Sequence, residues 1–413
     1  PYLGPREAQN RFNLVFQKFI QVFTQAEHPL VIFLDDLQWV DSASLNLINL
    51  LLTASDSQYL FLVAAYRSNE VSSVHPLMAT IEHIRKAGVT VSQIDLPSLE
   101  LPTITQLISD TFNCATDRAE PLAELVLQVT SGNPFFINEF LKSLYQEGLL
   151  NFDADQGCWQ WDLSQIPTAQ IPDNVGQLMT GKLQKLSPNT QQALKLAACI
   201  GNQFDLQTLA IISKTSLSTL ASDLQAGVQE GLILPLGDNY KFAGIGEQEA
   251  AVGRLEVIFK FLHDRVQQAA YSLIPEAERQ GIHRTIGQLL LTHIAPEKRE
   301  DKIFDIVNQL NIGIGLTNLR VQRDELANLN LIAGRKAKDS AAYETSIRYF
   351  LTGIELLGTE SWQRQYSLTL ALHNEAAEAA YLNGDFTETD QLVEQILHHA
   401  TGVLDCVRAY QAR

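Results

Sequence analysis

The sequence has few cysteines and no long apolar run. Its four cysteines, Cys114, Cys158, Cys199 and Cys406, lie far apart, and none of them forms a C-x-x-C pair. We therefore expect neither a disulfide framework nor a zinc site, and a reducing, cytoplasmic compartment fits best. No apolar run approaches the roughly 18 residues that a membrane-spanning helix needs, and no signal peptide opens the chain.

Basic residues are also in deficit. The chain has 30 Lys and Arg against 47 Asp and Glu, which gives a formal charge of −17. Because nucleic-acid affinity rests on clustered Lys and Arg, this balance argues against nucleic-acid binding as the main activity. At roughly 150 residues per domain, the 413 residues predict about three domains. The chain begins with Pro1 and ends without an evident stop signal, so we expect it to be part of a longer protein.

The first hundred residues have the pattern of an α/β region. Residues 6–26 predict a helix that turns one apolar stripe toward a core. The stripe consists of Phe12, Val15, Phe16, Phe19, Ile20 and Phe23. Leu30–Leu34 is a short uninterrupted apolar run, which is typical of a strand buried on both faces of a parallel sheet.

A second strand is expected after one helix. Asp41 is a good N-cap for a helix that runs to about Ala54. The next apolar run, Tyr59–Tyr66, predicts a strand that ends at Arg67, and together these elements predict a right-handed βαβ unit. Residues 89–96 are predicted to add a further strand.

From Leu101 onward the pattern becomes helical. Helices are predicted at about 103–114, 118–130 and 134–148, followed by a loop at 158–161 and a helical stretch at 172–230. Residues 231–235 and 256–262 look like strands that flank a loop at 237–239, and helices followed by such a hairpin suggest a winged helix.

After about residue 276 the chain is predicted to be helical throughout, with a weak internal repeat. Two segments match at an offset of 43 residues: Ala333, Ala337, Tyr343 and Phe350 against Ala376, Ala380, Phe386 and Val393. Small residues in a first helix and aromatic residues near a turn are typical of a tetratricopeptide-like (TPR-like) helical array.

The strongest chemical signal is a pair of acids, Asp35 and Asp36, directly after the first predicted strand. The carboxyl ends of parallel strands are where open α/β sheets bind ligands. In phosphoryl-transfer sites one such acid holds Mg²⁺ and its neighbour polarises the attacking water. The alternative is a solvated turn that caps the next helix, although Asp41 can provide that cap alone. Arg67 ends the neighbouring strand and is a candidate γ-phosphate sensor, or else a surface ion-pair partner.

Two further candidates have plain structural explanations. Asn133 is a natural N-cap and Pro134 a favourable first helical residue, so residues 131–136 need no function to account for them. His263 opens a helix after the predicted second wing strand, and a lone histidine is more often a satisfied core or surface residue than a ligand.

A resemblance to a known family adds to these observations. The segments LVIFLDDLQWVDSASL, LFLVAAYRSNEV, SGNPFFINEFLKSL and FKFLHDRVQQAAY, in this order, resemble signal-transduction ATPases of the AAA/STAND class. More narrowly, they resemble the ATPase module of large, mainly cyanobacterial proteins that combine a Ser/Thr protein kinase, an ATPase and a sensor histidine kinase. The similarity spans nearly the whole chain.

The resemblance implies a role for each matching residue of the core. Asp35 would be the Walker B ligand of Mg²⁺, and Asp36 the acid that orients water for ATP hydrolysis. Arg67 would be the sensor-like arginine that follows the next strand.

The same resemblance assigns roles to the helical part. Pro134, with Gly132 and Asn133 in the Gly-x-Pro element, would line the adenine site from a helical lid. His263 would be the winged-helix histidine that approaches the β-phosphate in the closed, ADP-bound state.

One departure from the family concerns the phosphate loop. No G-x-x-x-x-G-K-[ST] motif occurs in the 413 residues, although such a loop supplies the backbone cradle and the lysine for the β- and γ-phosphates. In the family it lies upstream of the helix at 6–26. We therefore expect weak or undetectable ATP binding by this chain alone. Kinase motifs are likewise absent from it, so kinase activity would belong to the parent protein.

The implied fold is the C-terminal half of a P-loop NTPase sheet at 1–100, a helical lid at 101–165, a winged-helix domain at 166–275 and a TPR-like array at 276–413. The resemblance implies a regulatory switch whose state depends on whether ATP or ADP is bound, together with Mg²⁺. Its expected partners are the neighbouring kinase and sensor domains of the same polypeptide and a protein on the helical repeats.

Two other functions are considered. A transcription regulator would read DNA with the winged helix, but the predicted recognition helix at 217–230 has no Lys or Arg, so DNA binding is improbable. The other is a nucleotide-independent scaffold in which the paired acids are vestigial.

Overall fold

The computed structural model describes residues 5–54, 58–68, 70–72, 75–163, 175–236, 257–316 and 319–412. The chain divides into two compact units. One comprises Pro1–Gln93 with Ile294–Arg413, and the other comprises Ile94–His293. The predicted loop at 237–239 and the first residue of the predicted strand at 256–262 lie outside the described residues.

The N-terminal segment contains a strand, a helix and a parallel strand, as the sequence predicts. Its elements are α1 (Pro5–Phe23), β1 (Leu30–Leu34), α2 (Ser42–Thr53), β2 (Leu60–Ala64) and α3 (Pro76–Lys86). Leu30 pairs with Leu60 and Leu34 with Ala64, so the two strands end at the same edge. Asp41 is the N-cap of α2, because its carboxylate accepts hydrogen bonds from the backbone N–H of Ser44 at 2.8 Å and from the Ser44 hydroxyl at 3.0 Å.

The prediction that β1 is buried on both faces is wrong. Its residues alternate, and Val31 and Phe33 are 59% and 60% exposed. In the described residues this sheet has only two strands, and the apolar cluster of Leu37, Leu45 and Leu77 lies against Leu34. One face of β1 therefore contributes to a core while the other is open.

Two other predictions for this segment fail. The apolar stripe of α1 does not face a core: Phe12 and Phe19 are 51% and 56% exposed, and its phenylalanine rings contact each other along the helix. Residues 89–96 form no strand; they have no regular secondary structure and no strand partner in the part that the structure describes.

The unit Ile94–His293, called the middle unit below, contains nine helices and five strands in its described residues. They are α4 (Leu101–Phe112), α5 (Thr116–Thr130), α6 (Pro134–Gln146), β3 (Leu150–Asp153), β4 (Cys158–Trp161), α7 (Val175–Gln184), α8 (Pro188–Ile200), β5 (Gln203–Asp205), α9 (Leu206–Ser213), α10 (Leu217–Gln229), β6 (Ile233–Leu236), β7 (Ile258–Phe261), α11 (Asp264–Ser272) and α12 (Glu276–His293).

The residues predicted as a loop at 158–161 instead form β4, which pairs antiparallel with β3. The physical reason is aromatic packing from outside the local sequence. Phe112, at the end of α4, places its ring 5.2 Å from that of Trp159 and 5.6 Å from that of Trp161. These contacts hold alternate residues of β4 on one face.

The predicted hairpin strands do pair. β6 and β7 are antiparallel, with Ile233 opposite Phe261, and β5 joins the other side of β7 in the order β5–β7–β6. The helical stretch expected at 172–230 contains four helices in its described residues, α7–α10, and β5 lies between α8 and α9. One continuous apolar cluster runs from Ile104 to Ala270 and holds α4–α11 together.

The C-terminal segment is helical. Its elements are α13 (Pro296–Arg299), α14 (Ile303–Ile312), α15 (Arg320–Asp339), α16 (Tyr343–Leu357), α17 (Ser361–Arg364), α18 (Tyr366–Asn383), α19 (Phe386–His399) and α20 (Val407–Ala412). The pairs α15–α16 and α18–α19 repeat one another, since their second helices begin 386 − 343 = 43 residues apart.

Close packing within this repeat depends on small residues. A Cβ on Gly334 of α15 would lie 2.3 Å from the Phe350 ring of α16, so glycine is needed for the two helices to approach. The matching alanines Ala333 and Ala376 are both fully buried. The repeat inferred from the sequence therefore corresponds to two packed helix pairs.

Candidate functional site

The paired acids lie in a tight turn after β1. Asp36 has φ 56° and ψ 39°, a left-handed conformation that is uncommon for residues other than glycine, and a short 3₁₀ helix, Leu37–Trp39, follows it. The carboxylate of Asp35 accepts a hydrogen bond from the backbone N–H of Asp36 at 2.9 Å. Asp35 is exposed, whereas the side chain of Asp36 is about a quarter exposed. The turn thus directs the two neighbouring carboxylates into different surroundings.

Gln38 connects this turn to β2, and the sequence analysis did not single it out. Its side-chain nitrogen donates to Asp36 Oδ1 at 2.9 Å, and its side-chain oxygen accepts the backbone N–H of Arg67 at 3.2 Å. Gln38 is only 6% exposed. A buried amide must satisfy both its donor and its acceptor, so an amide side chain two residues after Asp36 is the signal that could have pointed to this link.

A histidine supports the same turn from α3. His75 Nδ1 accepts the backbone N–H of Leu77 at 3.2 Å, which places the proton of the neutral ring on Nε2. His75 Nε2 lies 3.2 Å from the carbonyl oxygen of Gln38 and can donate to it. The turn is therefore held by both β2 and the start of α3.

Arg67 lies at the same strand edge as Asp36, as the parallel pairing predicts. Its Nη2 is 3.8 Å from Asp36 Oδ1, and its Nη1 donates to Glu70 Oε1 at 3.1 Å. The guanidinium carbon is 5.6 Å from the ring centre of Trp39, within range of a cation–π contact. These contacts of the guanidinium with two carboxylates and an aromatic ring lie at a partly exposed edge, where a stronger anion can compete for it.

The donor set at this edge suits a hard cation only in part. Carboxylate oxygens are the ligands Mg²⁺ prefers, and protein Mg²⁺ sites commonly use one or two carboxylates together with phosphate and water. Asp35 and Asp36 fit that pattern. Across the described ranges no cluster of three or more His, Cys, Asp or Glu has metal-binding geometry. The acids could therefore hold Mg²⁺ only in company with a ligand that brings oxygens of its own.

The Gly-x-Pro element links α5 to α6. Ser131 and Gly132 both adopt left-handed conformations, with φ 52° and +76°. A Cβ on Gly132 would lie 2.3 Å from the carbonyl oxygen of Leu99, and the backbone N–H of Leu99 donates to the Gly132 carbonyl at 2.8 Å. Gly132 is therefore required by backbone packing, whatever its functional role.

The next two residues start α6. The side-chain oxygen of Asn133 accepts the backbone N–H groups of Phe135 at 3.0 Å and Phe136 at 3.4 Å, which caps the helix, and Pro134 occupies its first turn. Pro134 is exposed. The structural explanation of these residues thus holds, and it leaves the surface of Pro134 accessible.

His263 lies beside this element. It is the N-cap of α11, where its Nδ1 accepts the backbone N–H of Arg265 at 3.1 Å. Its ring stacks on Phe135 with the centroids 5.2 Å apart and the planes 13° apart, and its centroid is 5.1 Å from that of Phe136. Two sequence-distant candidates, His263 and the residues around Pro134, are thereby brought together.

The predicted site residues therefore form two groups. Asp35, Asp36 and Arg67 belong to one compact unit, and the group of residues 132–134 with His263 belongs to the other. In each group one contact joins residues that are distant in sequence: Asp36 with Arg67 in the first, and Phe135 with His263 in the second.

Comparison with known proteins shows similarity to signalling ATPases and kinases. A family model described as an AAA ATPase domain matches residues 1–63. The hybrid signal transduction histidine kinase G of Dictyostelium discoideum is 26% identical, over 96% of this chain and 14% of its own length. The peroxide stress-activated histidine kinase mak3 of Schizosaccharomyces pombe is 19% identical, over 76% of this chain and 13% of its own length.

A solved structure also matches. It is a Signal Transduction ATPase with Numerous Domains (STAND) protein with a tetratricopeptide repeat sensor from Pyrococcus horikoshii, with a TM-score of 0.46 and 12% identity, covering 98% of this chain and 54% of that one. The family match over residues 1–63 confirms the resemblance of the segment LVIFLDDLQWVDSASL to AAA ATPases. The chain spans about a seventh of the length of the two kinases. Of the helices that the structure describes, none is both long and apolar enough to cross a bilayer.

Proposed function

We propose that the chain is part of a nucleotide-dependent regulatory switch within a signal-transduction protein kinase. The observation that carries the proposal is the meeting of Asp36 and Arg67, 3.8 Å apart, where the parallel strands β1 and β2 end. An acid and an arginine at the carboxyl edge of a parallel sheet suit a ligand that carries both phosphate groups and a cation. The proposal agrees with the AAA ATPase match over residues 1–63.

In this proposal the two acids have different tasks. Asp35, the more exposed carboxylate, holds Mg²⁺, which when bound neutralises charge on the phosphate groups. Asp36 is held by Gln38 and orients a water molecule by accepting its hydrogen bond. The tight turn supports this division, because it gives adjacent residues different exposure and different partners.

Arg67 distinguishes the nucleotides. Its contacts with Asp36 and Glu70 are partly exposed and therefore weak, so a phosphate group with a higher negative charge can draw the guanidinium away from them. A change of partner at Arg67 would pass to the turn after β1, because its backbone N–H bonds to Gln38. A switch needs such differential contacts with ATP and ADP.

Residues 132–134 and His263 supply a second set of contacts with the nucleotide in this proposal. Pro134, with Gly132 and Asn133, lines the adenine site, and His263 approaches the β-phosphate in the ADP-bound state. Stacking of His263 on Phe135 supports this proposal, since it brings the histidine next to the Gly-x-Pro element. In the neutral ring the proton is on Nε2, because Nδ1 accepts the N–H of Arg265, so His263 has a donor for a phosphate oxygen.

The remaining parts of the switch follow from the chain's architecture and relatives. The hairpin β6–β7 after α8–α10 is proposed to be the wing of a winged helix that packs internally, and the repeated pairs α15–α16 and α18–α19 to receive a protein partner. Since both curated relatives are histidine kinases and this chain covers about a seventh of each, the kinase activity is proposed for the parent protein.

The test uses the full-length parent protein. Asp36→Asn is expected to lower ATP turnover at least about 100-fold, the usual scale of a lost acid–base group. Arg67→Gln is expected to reduce the ratio of ATP to ADP affinity. Asp41→Asn is the matched control, because asparagine is an equally good helix cap and the change is five residues away. Unchanged turnover in Asp36→Asn would refute the switch and favour the scaffold.

A further inference from the structure

A tryptophan that the proposed switch does not use lies exposed on the turn after β1. Trp39 ends the 3₁₀ helix Leu37–Trp39 and is 55% exposed, whereas the two residues before it, Leu37 and Gln38, are 7% and 6% exposed. The backbone N–H of Trp39 donates to the carbonyl oxygen of Asp36 at 3.1 Å. Because Leu37 and Gln38 occupy the inside of this short helix, the turn holds the indole of Trp39 on the outside.

Burial does not account for the position of this ring. Tryptophan is highly buried on average in folded proteins, because its large apolar surface gains much from leaving water. Trp39 lies outside the apolar cluster that the described residues Leu37, Leu45 and Leu77 form beneath the turn. The ring contacts a charge: the guanidinium carbon of Arg67 lies 5.6 Å from its centre. Among the aromatic side chains, indole attracts a cation most strongly.

Two neighbouring residues of the turn hold Arg67 at two points. The side-chain oxygen of Gln38 accepts the backbone N–H of Arg67 at 3.2 Å, and the ring of Trp39 contacts its guanidinium. The arginine side chain has large rotamer freedom, which is lost when a ligand immobilises it, and this loss weakens binding. A guanidinium that is already held at the strand edge loses less freedom. The turn therefore pre-organises Arg67.

The ring differs in kind from the carboxylates beside it. Asp36 Oδ1 lies 3.8 Å from Nη2 of Arg67, and Glu70 Oε1 accepts a hydrogen bond from Nη1 at 3.1 Å. A phosphate group uses the same N–H donors and the same positive charge, so it has to compete with these carboxylates. An aromatic face attracts the cation through its quadrupole and uses neither an N–H donor nor a counter-charge. Trp39 can therefore keep its contact while the N–H donors change partner.

We propose that Trp39 is the positioning residue of Arg67: its ring holds the guanidinium at the sheet edge and thereby increases the discrimination between ATP and ADP. The effect on discrimination rests on the proposed function, in which Arg67 distinguishes the two nucleotides, whereas the contact between ring and guanidinium does not. Trp39 does not touch the nucleotide; it acts through Arg67.

The contact is tested in the 413-residue chain labelled with fluorotryptophan, whose fluorine NMR resonances respond to charge beside the ring. Each of the four tryptophan resonances is assigned by replacement with phenylalanine. Arg67→Gln should shift the resonance of Trp39 and leave the other three in place. Arg118→Gln, in the middle unit, is the matched control, because the guanidinium carbon of Arg118 lies 4.6 Å from the ring centre of Trp161. It should shift the resonance of Trp161 and leave that of Trp39 in place.

The role is tested in the full-length parent protein by the ratio of ATP to ADP affinity, measured by titration calorimetry in the presence of Mg²⁺. Trp39→Leu should lower this ratio about two- to fivefold, the scale of a cation–π contact at an exposed site. Trp39→Phe keeps an aromatic face and should retain most of the ratio. In an Arg67→Gln background, Trp39→Leu should have no further effect, whereas a merely structural role of Trp39 would change the ratio in both backgrounds.

Each failure has its own signature. If Arg67→Gln leaves the Trp39 resonance in place while Arg118→Gln shifts that of Trp161, the contact is absent and the proposal is overturned. If Arg67→Gln lowers the affinity ratio but Trp39→Leu does not, Arg67 discriminates without Trp39, so the proposal is overturned while the switch stands. If Arg67→Gln leaves the ratio unchanged, the proposed function of Arg67 fails, and the effect of Trp39 on discrimination fails with it.

Discussion

The buried side-chain oxygen of Gln38 accepts the backbone N–H of Arg67 at 3.2 Å, a link across 29 residues of sequence. The same carboxamide donates to Asp36. One neutral side chain therefore fixes the distance between the two charged residues on which the proposed switch depends. Because Gln38 is nearly inaccessible, it positions these residues and does not itself contact a ligand.

Replacing Gln38 by leucine should destabilise the turn. The change leaves the N–H of Arg67 without its acceptor, and an unsatisfied buried group costs about 1–3 kcal/mol. We expect a decrease of that size in the free energy of unfolding, measured with urea, and faster hydrogen exchange at the Arg67 amide. Gln58→Leu, at an exposed position, should change stability by less than about 0.5 kcal/mol. Equal effects of the two substitutions would contradict the linking role.

Gly132 offers a test of backbone packing between the end of α5 and the segment that precedes α4. Gly132→Ala meets two penalties, a left-handed conformation at φ +76° and a Cβ 2.3 Å from the Leu99 carbonyl oxygen. Gly148→Ala is the matched control, because its φ is +73° but no atom lies within 4 Å of the added Cβ. The control should cost about 1–2 kcal/mol for the conformation alone. Gly132→Ala should cost clearly more in the same urea titration, and a cost equal to the control would show that the Leu99 contact relaxes freely.

Elements set by local sequence could be predicted, whereas elements set by distant partners could not. The strand Leu30–Leu34 and the cap at Asp41 follow from an apolar run and from side-chain chemistry within four residues, and both have the predicted bounds or role. The strand at 158–161 was missed because Phe112, more than forty residues earlier, packs against its tryptophans. The open face at Phe33 was missed because burial depends on what else covers the sheet.

The same distinction applies to the candidate site. The proximity of Asp36 and Arg67 follows from the rule that parallel strands end at one edge, and their roles stay predictions. The amide of Gln38 could have been singled out as a residue that needs partners, but its bond to the Arg67 backbone was not predicted, since it depends on the exact register of β1 against β2. The stacking of His263 on Phe135 likewise joins residues 128 positions apart, and no local sequence pattern predicts it.

Glu375 should make the helical repeats sensitive to acid. Burial tends to raise the pKa of this carboxyl, but the hydrogen bond and charge of Lys338, with the charges of Arg408 and Arg335, outweigh it and hold the pKa below the ordinary value of 4.5. A depressed pKa means that the native state prefers the carboxylate. The stabilisation is therefore present above pH 4.5 and is lost as the pH falls through the pKa of the folded state.

Glu375→Gln tests this. At pH 7 it should destabilise the protein by about 3 kcal/mol, because it removes the buried carboxylate that Arg335, Lys338 and Arg408 share and leaves Lys338 and Arg408 with Glu378 alone. Below pH 4.5 the difference from the wild type should shrink as the pH falls, since protonation of Glu375 then increasingly favours the unfolded state. Glu355→Gln, at an exposed position of α16, should show no such pH-dependent difference in urea midpoints. If the destabilisation caused by Glu375→Gln is the same from pH 7 to pH 3.5, the ionisation of Glu375 does not contribute to the pH dependence of stability.

His373 should act in a higher pH range. Its ring is 5% exposed, lies 4.7 Å from that of Trp362, and hydrogen-bonds through Nδ1 to the Thr369 carbonyl at 2.8 Å. Burial lowers the pKa of His373 below 6.5; the hydrogen bond to the Thr369 carbonyl opposes this in part, and the charge of His399 adds a smaller lowering. The native state thus keeps the ring neutral, so stability is full above pH 6.5 and falls as the pH drops toward the folded-state pKa.

We therefore expect His373→Gln to reduce the loss of unfolding free energy between pH 7.5 and pH 5.5, because glutamine can keep a hydrogen bond but cannot titrate. The control is His293→Gln. His293 also bonds through Nδ1 to a carbonyl four residues earlier, at 2.9 Å, but unlike His373 it is exposed. If the unfolding free energy of His373→Gln falls as steeply with pH as that of the wild type and of His293→Gln, the buried ring does not control the acid stability of the repeats.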